Sequence, residues 1–135
     1  MLRPSFVILA SLFVLLGAGC QPRSSADVFP QPKVGSVAIF QEHPRWNIRG
    51  IVSVVDERTL RFERFSFTGD GLRVDLRLQK NKTLVAILRD ITTSVYDNSS
   101  FEVKLPDGVT VNDFNLVTVF SPDLGTSVSG AEFSL

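Results

Sequence analysis

Apolar and polar residues alternate with a period of two along most of the chain beyond residue 33. Leu72, Val74, Leu76 and Leu78 are separated by Arg73, Asp75, Arg77 and Gln79. A strand sends successive side chains to opposite faces, so this segment predicts one apolar face on a core and one charged face in water. Phe101, Val103 and Leu105 repeat the pattern against Glu102 and Lys104, and the stretches around Val37, Ile39, Val52 and Val54 are rich in β-branched residues. Turn chemistry falls between the runs, at Asp56-Glu57-Arg58, Thr68-Gly69-Asp70-Gly71, Lys80-Asn81-Lys82, Asp97-Asn98-Ser99 and Pro106-Asp107-Gly108. No amphipathic helix intervenes. Residues 34–135 therefore predict an all-β domain, an antiparallel β-sandwich or a barrel-like pair of sheets.

One irregularity is informative. Leu60 and Phe62 lie on even positions, whereas Phe65 and Phe67 lie on odd ones. A regular strand would send these pairs to opposite faces. An extra residue near Glu63-Arg64, a β-bulge, brings all four to the core. A strand buried on both faces is the alternative, and Arg61, Glu63 and Arg64 argue against it. The chain contains 11 Phe; an aromatic cluster of this kind either stacks a flat ligand or, more commonly in a small sandwich without disulfides, serves packing, each ring removing a large apolar area from water.

The first thirty residues follow another rule. Arg3 precedes an apolar run over residues 6–16, interrupted only by Ser11, and Gly17-Ala18-Gly19 leads into Cys20. A positive start, an apolar centre and a small-residue exit make a cleaved secretory signal helix over residues 1–19. A spanning helix needs ~20 apolar residues, which this stretch reaches only if residues 17–20 are all counted. Leu15-Leu16-Gly17-Ala18-Gly19-Cys20 resembles a bacterial lipobox, with Gly17 at the position where Leu is usual. That resemblance implies that the Cys20 thiol takes a lipid, palmitate being one such acyl group, and becomes the mature N-terminus. The alternative is an ordinary secretory signal with an incidental thiol. Two or three acyl chains, at ~0.8 kcal/mol per buried CH₂, make a lasting membrane anchor. Gln21 stands where lipoproteins kept at an inner membrane often have Asp, which points to an outer membrane or cell envelope. Residues 20–33 hold three of the seven prolines and no apolar period, as an extended tether does.

Charge and reactive groups narrow the function. Lys+Arg and Asp+Glu both number 14, so nothing favours nucleic acid as a partner. Cys20 and His43 are the single cysteine and the single histidine, which excludes an intrachain disulfide and a multi-cysteine metal site. No G-x-S-x-G and no D-x-[DN]-x-[DN]-G loop occurs. The scattered aspartates read as turn residues, and the arginines alternating with acids read as solvated sheet faces. These features predict a protein that is not an enzyme and has no resident cofactor. His43, in Gln41-Glu42-His43-Pro44-Arg45-Trp46, is the one side chain that titrates near neutrality unaided. It is a candidate metal or haem ligand or general base, or else a loop histidine hydrogen-bonded to the backbone or to Glu42. Trp46, beside Arg45 and Arg49, is a candidate partner contact, or a ring half-buried at a sheet edge.

From Ile39 to the C-terminus the chain resembles a DM13 domain. The resemblance rests on Glu42-His43-Pro44 with Gly50, on the segment from Thr59 to Gly71, on Tyr96-Asp97-Asn98 with Phe101-Glu102-Val103-Lys104-Leu105-Pro106, and on the closing Val109 to Phe114, Val117 to Ser121 and Ala131-Glu132-Phe133. It implies a small extracytoplasmic β-domain with a proposed role in electron transfer, tied to a Trp-Cys pair in the penultimate strand. Phe120 and Ser121 occupy those positions here, and the family's Gly-Pro-Asp turn is replaced by Gly71-Leu72-Arg73. A serine hydroxyl cannot visit thiol, disulfide and sulfenic states. The expectation is a lipid-anchored binding or structural module, touching the membrane through Cys20 and an envelope protein partner through strand edges or the His43–Trp46 loop. The rivals are an electron-transfer or haem/metal-associated domain using His43 and an accessory subunit of a membrane complex.

Overall fold

The computed structural model describes residues 32–69 and 71–134. Eight strands carry the chain: β1 (Val37–Ile39), β2 (Arg49–Asp56), β3 (Thr59–Thr68), β4 (Asp75–Lys80), β5 (Thr83–Asp90), β6 (Val95–Lys104), β7 (Leu116–Ser121) and β8 (Thr126–Glu132). They form two antiparallel four-stranded sheets, ordered β1-β2-β3-β6 and β5-β4-β7-β8. A Phe40–Ala131 bridge, with the Gln41 N–H donating to the Gly130 carbonyl at 3.0 Å, ties β1 to β8. The result is the sandwich that the alternation predicts, joined at one corner in the manner of a barrel. The signal segment, Cys20 and residues 20–31 of the tether lie outside the described residues; Pro32, the first described residue, is buried.

The core hangs on β3. Leu60, Phe62, Phe65 and Phe67 are all fully buried. Phe62 pairs with Phe101 of β6 and Phe65 with Ser99, so β3 has one residue more than its partner between these pairs. The extra residue sits at Arg64, whose φ is +53°. This is the predicted bulge, and it puts four side chains of mixed parity on one face. The adjacent β6 then makes the opposite adjustment. Phe67 pairs with Tyr96, leaving an extra residue at Asn98, with φ +52°. Asp97-Asn98-Ser99, whose residue types predict a turn, is therefore a second bulge inside β6, and the Asn98 N–H donates to Ser66 Oγ at 3.0 Å. A left-handed Asn suits a bulge as well as a turn, so the residue types alone do not distinguish the two.

These two offsets gather the rings. Phe62 stacks on Phe101 at 4.8 Å, and Phe65 meets Phe62, Phe40 and Tyr96 at 5.9, 5.5 and 5.2 Å. Aromatic pairs of this kind add roughly 0.5–1.5 kcal/mol beyond the area they bury. Gly50 of β2 faces the bulge with φ +149°, and a Cβ there would lie 2.9 Å from the Phe65 Cα. Only glycine lets β2 approach this closely.

The second sheet corrects one expectation. The alternation places the polar face of β4 in water, yet Asp75, Arg77 and Gln79 are buried along with Leu76 and Leu78. β4 is an inner strand, and Phe120 of β7 covers Arg77, with the guanidinium carbon 3.8 Å from the ring centre. Arg77 Nε and Nη2 donate to the two Asp75 carboxylate oxygens at 2.6 and 2.7 Å. The outer face of the first sheet behaves as expected, with Arg61 and Glu102 paired at 2.9 Å and half exposed. Asn81 and Lys82, both at positive φ, make the two-residue turn from β4 to β5. β5, which the alternation does not pick out, is an edge strand with two register shifts against β4 and with Leu84 and Ile87 exposed.

Replacing Gly50 by Ala forces a shift of the Phe65 backbone and is expected to cost about 1–3 kcal/mol, read as a lower urea midpoint. Arg64→Gly relieves a left-handed non-glycine residue on the other side of the same contact, and is expected to leave that midpoint unchanged or to raise stability by up to about 1 kcal/mol.

Candidate functional site

The single histidine lies in a short excursion between β1 and β2. His43 and Ile48 exchange backbone hydrogen bonds at 3.0 and 3.1 Å, closing a loop that holds a 3-10 turn over Pro44–Trp46. Pro44 pre-sets the first turn position, and Asn47, left-handed at φ +50°, ends it. The closure folds the loop onto itself. The His43 ring stacks on Trp46 with centroids 4.5 Å apart, and the Arg45 guanidinium lies 5.1 Å from the indole. Trp46 is buried in this turn, not half-buried at a sheet edge as its sequence position suggests. His43 Nδ1 is buried and has no hydrogen-bond partner among the described residues, neither backbone nor Glu42. Arg49 opens β2 and lines the adjoining hollow with Glu42, His43, Pro44, Asn47 and Ile48.

That hollow has a volume of about 100 Å³, well below the ~300 Å³ at which ligand pockets begin, so a macrocycle does not fit it. Among the described residues no three His, Cys, Asp or Glu side chains converge in a way that could hold a metal ion. His43 can offer one nitrogen and little else. Asp70 lies outside the described residues.

The other family-related positions end β7. Phe120 faces outward and covers Arg77; Ser121 faces inward and is fully buried. Ser121 Oγ accepts the Leu124 N–H at 3.3 Å, and its carbonyl accepts the Gly125 N–H at 2.8 Å. The turn is pinned from the far side by Arg73, whose Nε and backbone N–H donate to the two Asp123 carboxylate oxygens at 2.8 and 3.1 Å. The Arg73 side-chain hydrogen bond, helped by the backbone one, holds the Asp123 carboxyl below the usual carboxylate range. Ser121 is thus a turn-closing residue shut away from solvent. The His43–Trp46 loop leads into β2 of one sheet, whereas Phe120 and Ser121 end β7 of the other, and neither Phe120 nor Ser121 lines the hollow beside His43.

A third place escapes the sequence pattern. A groove of about 770 Å³ runs over the outer face of β4, β7 and β8, with Gln79, Leu116, Thr118, Phe120, Val128 and Gly130 among its lining residues. Alternation places Gln79 in water and gives no sign of Thr118. Gly130 is the available signal, because an isolated glycine inside a strand marks a close approach or a missing side chain.

The sequence model of one family, Electron transfer DM13, matches residues 39–133. No curated protein and no solved structure matches the chain.

A thiol installed at the buried β7 position tests how closed it is. In a Cys20→Ser background, Ser121→Cys is expected to react with an aromatic disulfide reagent at least about 100-fold more slowly in the native protein than in urea, because thiolate attack needs access.

Proposed function

The chain belongs to the DM13 family, and from that premise we propose that it is a binding module, not an enzyme, held at the outer side of a bacterial membrane by a lipid on Cys20. One observation carries the choice of binding over electron transfer: at the family's redox position stands Ser121, whose hydroxyl closes a turn inside the core. A buried serine neither gives nor takes an electron, so what remains of the family in this chain is its scaffold and the surfaces that scaffold offers. The anchor reading is supported by the order of Arg3, the apolar residues 6–16, the small residues 17–19 and Cys20. Residues 21–31 then separate the lipid from Pro32, an extended reach of up to roughly 40 Å. The partner in this reading is an envelope component that meets the domain away from the membrane.

Electron transfer through His43 is the second reading, favoured by the unpartnered Nδ1 and by the Trp46 ring stacked against it. A ligand on that nitrogen would have to open the His43–Trp46 loop, because the present hollow is too small.

Two measurements separate the possibilities. Cys20→Ser is expected to move the protein from the membrane to the soluble fraction and to remove a mass increment of two or three acyl chains; a variant that remains on the membrane overturns the anchor. The purified protein is expected to show no absorbance above 320 nm, alone or after addition of haem or of Cu²⁺, beyond that of the free additive. A Soret or charge-transfer band that His43→Ala abolishes would establish the electron-transfer reading in its place.

A further inference from the structure

Two arginines beside the β3 bulge stand apart from the rest. Of the eight described arginines, Arg58, Arg61, Arg73 and Arg77 pair with Asp107, Glu102, Asp123 and Asp75. Arg45 and Arg89 lie over the rings of Trp46 and Phe101. Arg49 and Arg64 are exposed and have neither a carboxylate at ion-pair distance nor a ring beneath them among the described residues. The backbone sets them side by side. Arg49 of β2 pairs with Ser66 and Ile51 with Glu63, so Arg64 lies where β3 has one residue in excess over β2 as well as over β6. An extra residue re-aims the side chain it carries, and bulges recur beside functional sites for that reason. Arg64 occupies the left-handed region at φ +53°, where glycine is at ease and an arginine costs stability. A strained backbone under an exposed, unpaired charge points to a task outside folding.

Both residues line a hollow of about 490 Å³, within the range of small-ligand sites. Asn98, the left-handed residue of the β6 bulge, lines it too. Glu42 is the one carboxylate of the lining, so two positive charges meet one negative. Ile39, which is 69 % exposed, and Ile51 supply an apolar wall. A guanidinium offers a planar fork of donors that fits the oxygens of a carboxylate or a phosphate. One fork fills a carboxylate, whereas the three terminal oxygens and nearly two charges of a phosphate monoester receive both forks. The chain enters the domain at the other end of β2, where the Gly35 N–H donates to the Val54 carbonyl at 2.8 Å. The hollow thus lies at the end of β2 remote from the tether.

We propose that the hollow lined by Arg49 and Arg64 binds a phosphate monoester, whose oxygens are held by the two guanidiniums while its apolar substituent lies on Ile39 and Ile51. The inference rests on the binding-module reading but is independent of the lipid on Cys20.

The test uses the full chain in an amine-oxide detergent, which carries no phosphate, titrated with phenyl phosphate by calorimetry and by backbone amide shifts at about pH 8, where the monoester is a dianion. Phenyl phosphate is expected to bind with shifts centred on residues 49–51 and 62–66, more tightly than phenyl sulfate, which has the same ring and a single charge. Arg49→Gln is expected to weaken binding at least about tenfold. Arg64→Gly is expected to weaken it as much while leaving the urea midpoint unchanged or higher, which a residue serving only the fold would not do. Glu42→Gln is expected to tighten binding about twofold or more. Arg61→Gln, on the same strand but already paired with Glu102, is expected to change it less than about twofold. Dihexanoyl phosphatidic acid carries the same group on a lipid: tighter binding than phenyl phosphate assigns a membrane headgroup as the source, and equal or weaker binding a soluble monoester. No binding of phenyl phosphate, equal binding of phenyl sulfate, binding indifferent to Arg49→Gln or to Arg64→Gly, or tighter binding of benzoate or of a tetraglutamate peptide overturns the site. Such a failure without a His43-dependent absorbance band removes the phosphate site and leaves the binding-module reading standing; the band itself removes that reading.

Discussion

Leu60, Phe62, Phe65 and Phe67 must all reach one side of a strand that naturally divides them between two. The chain meets that demand with one extra residue at Arg64 in the left-handed region, and the neighbouring strand compensates at Asn98. Each offset alone would slide every later pair of β3 and β6 by one position and expose half of the core. Together they cancel, and the rings of Phe40, Phe62, Phe65, Tyr96 and Phe101 close around the place where they do so. Gly50 completes the device, since no other residue lets β2 lie against the displaced backbone of Phe65. The pairing of β2, β3 and β6 in the first sheet is built around this one registry constraint.

Much of this is legible in the amino acids alone. The change of parity between Phe62 and Phe65 locates the β3 bulge, because a period of two leaves no other way to bury both on one face. Lys80-Asn81-Lys82 and Pro106-Asp107-Gly108 mark turns because their residues tolerate positive φ or fix the chain direction. Asp97-Asn98-Ser99 misleads for the same reason: the residue types that permit a turn also permit a bulge, and only the partner strand decides between them. β4 misleads differently. Alternation reports which side chains differ in polarity, but it does not report what covers the polar ones. Asp75 is remote from Phe120 in sequence and directly opposite it in the sheet, so the cover comes from a strand that the local pattern cannot see. The groove over β4, β7 and β8 is invisible for a related reason, because a groove is a property of the strands around it and not of any one residue.

The relation between family and chemistry follows from the end of β7. Phe120 and Ser121 sit where the family resemblance places a Trp-Cys pair, and each has a structural task here: the ring covers Arg77, and the hydroxyl closes a turn. The Arg77–Asp75 pair beneath Phe120 depends on that cover. Removing one partner of such a pair strands a charge in a poorly hydrated place, at a typical cost of roughly 3–5 kcal/mol, whereas replacing both with apolar groups is often neutral. Substitution at position 120 is therefore tied to the two charges under it. Phe120 and Ser121 also pair in the ladders of β7, so the positions that the resemblance singles out are part of what builds the second sheet.

β5 carries a consequence for solubility. Leu84-Val85-Ala86-Ile87-Leu88 is an uninterrupted aliphatic run on the margin of a sheet, the kind of segment that seeds fibrils when its free amides line up with those of another copy. Its two register shifts against β4 break that line twice within the eight residues of the strand, so an incoming strand finds no straight row of donors and acceptors to extend. Irregular backbone of this kind serves at a sheet margin the purpose that lysines or prolines serve at others, by denying a second copy a regular ladder to extend.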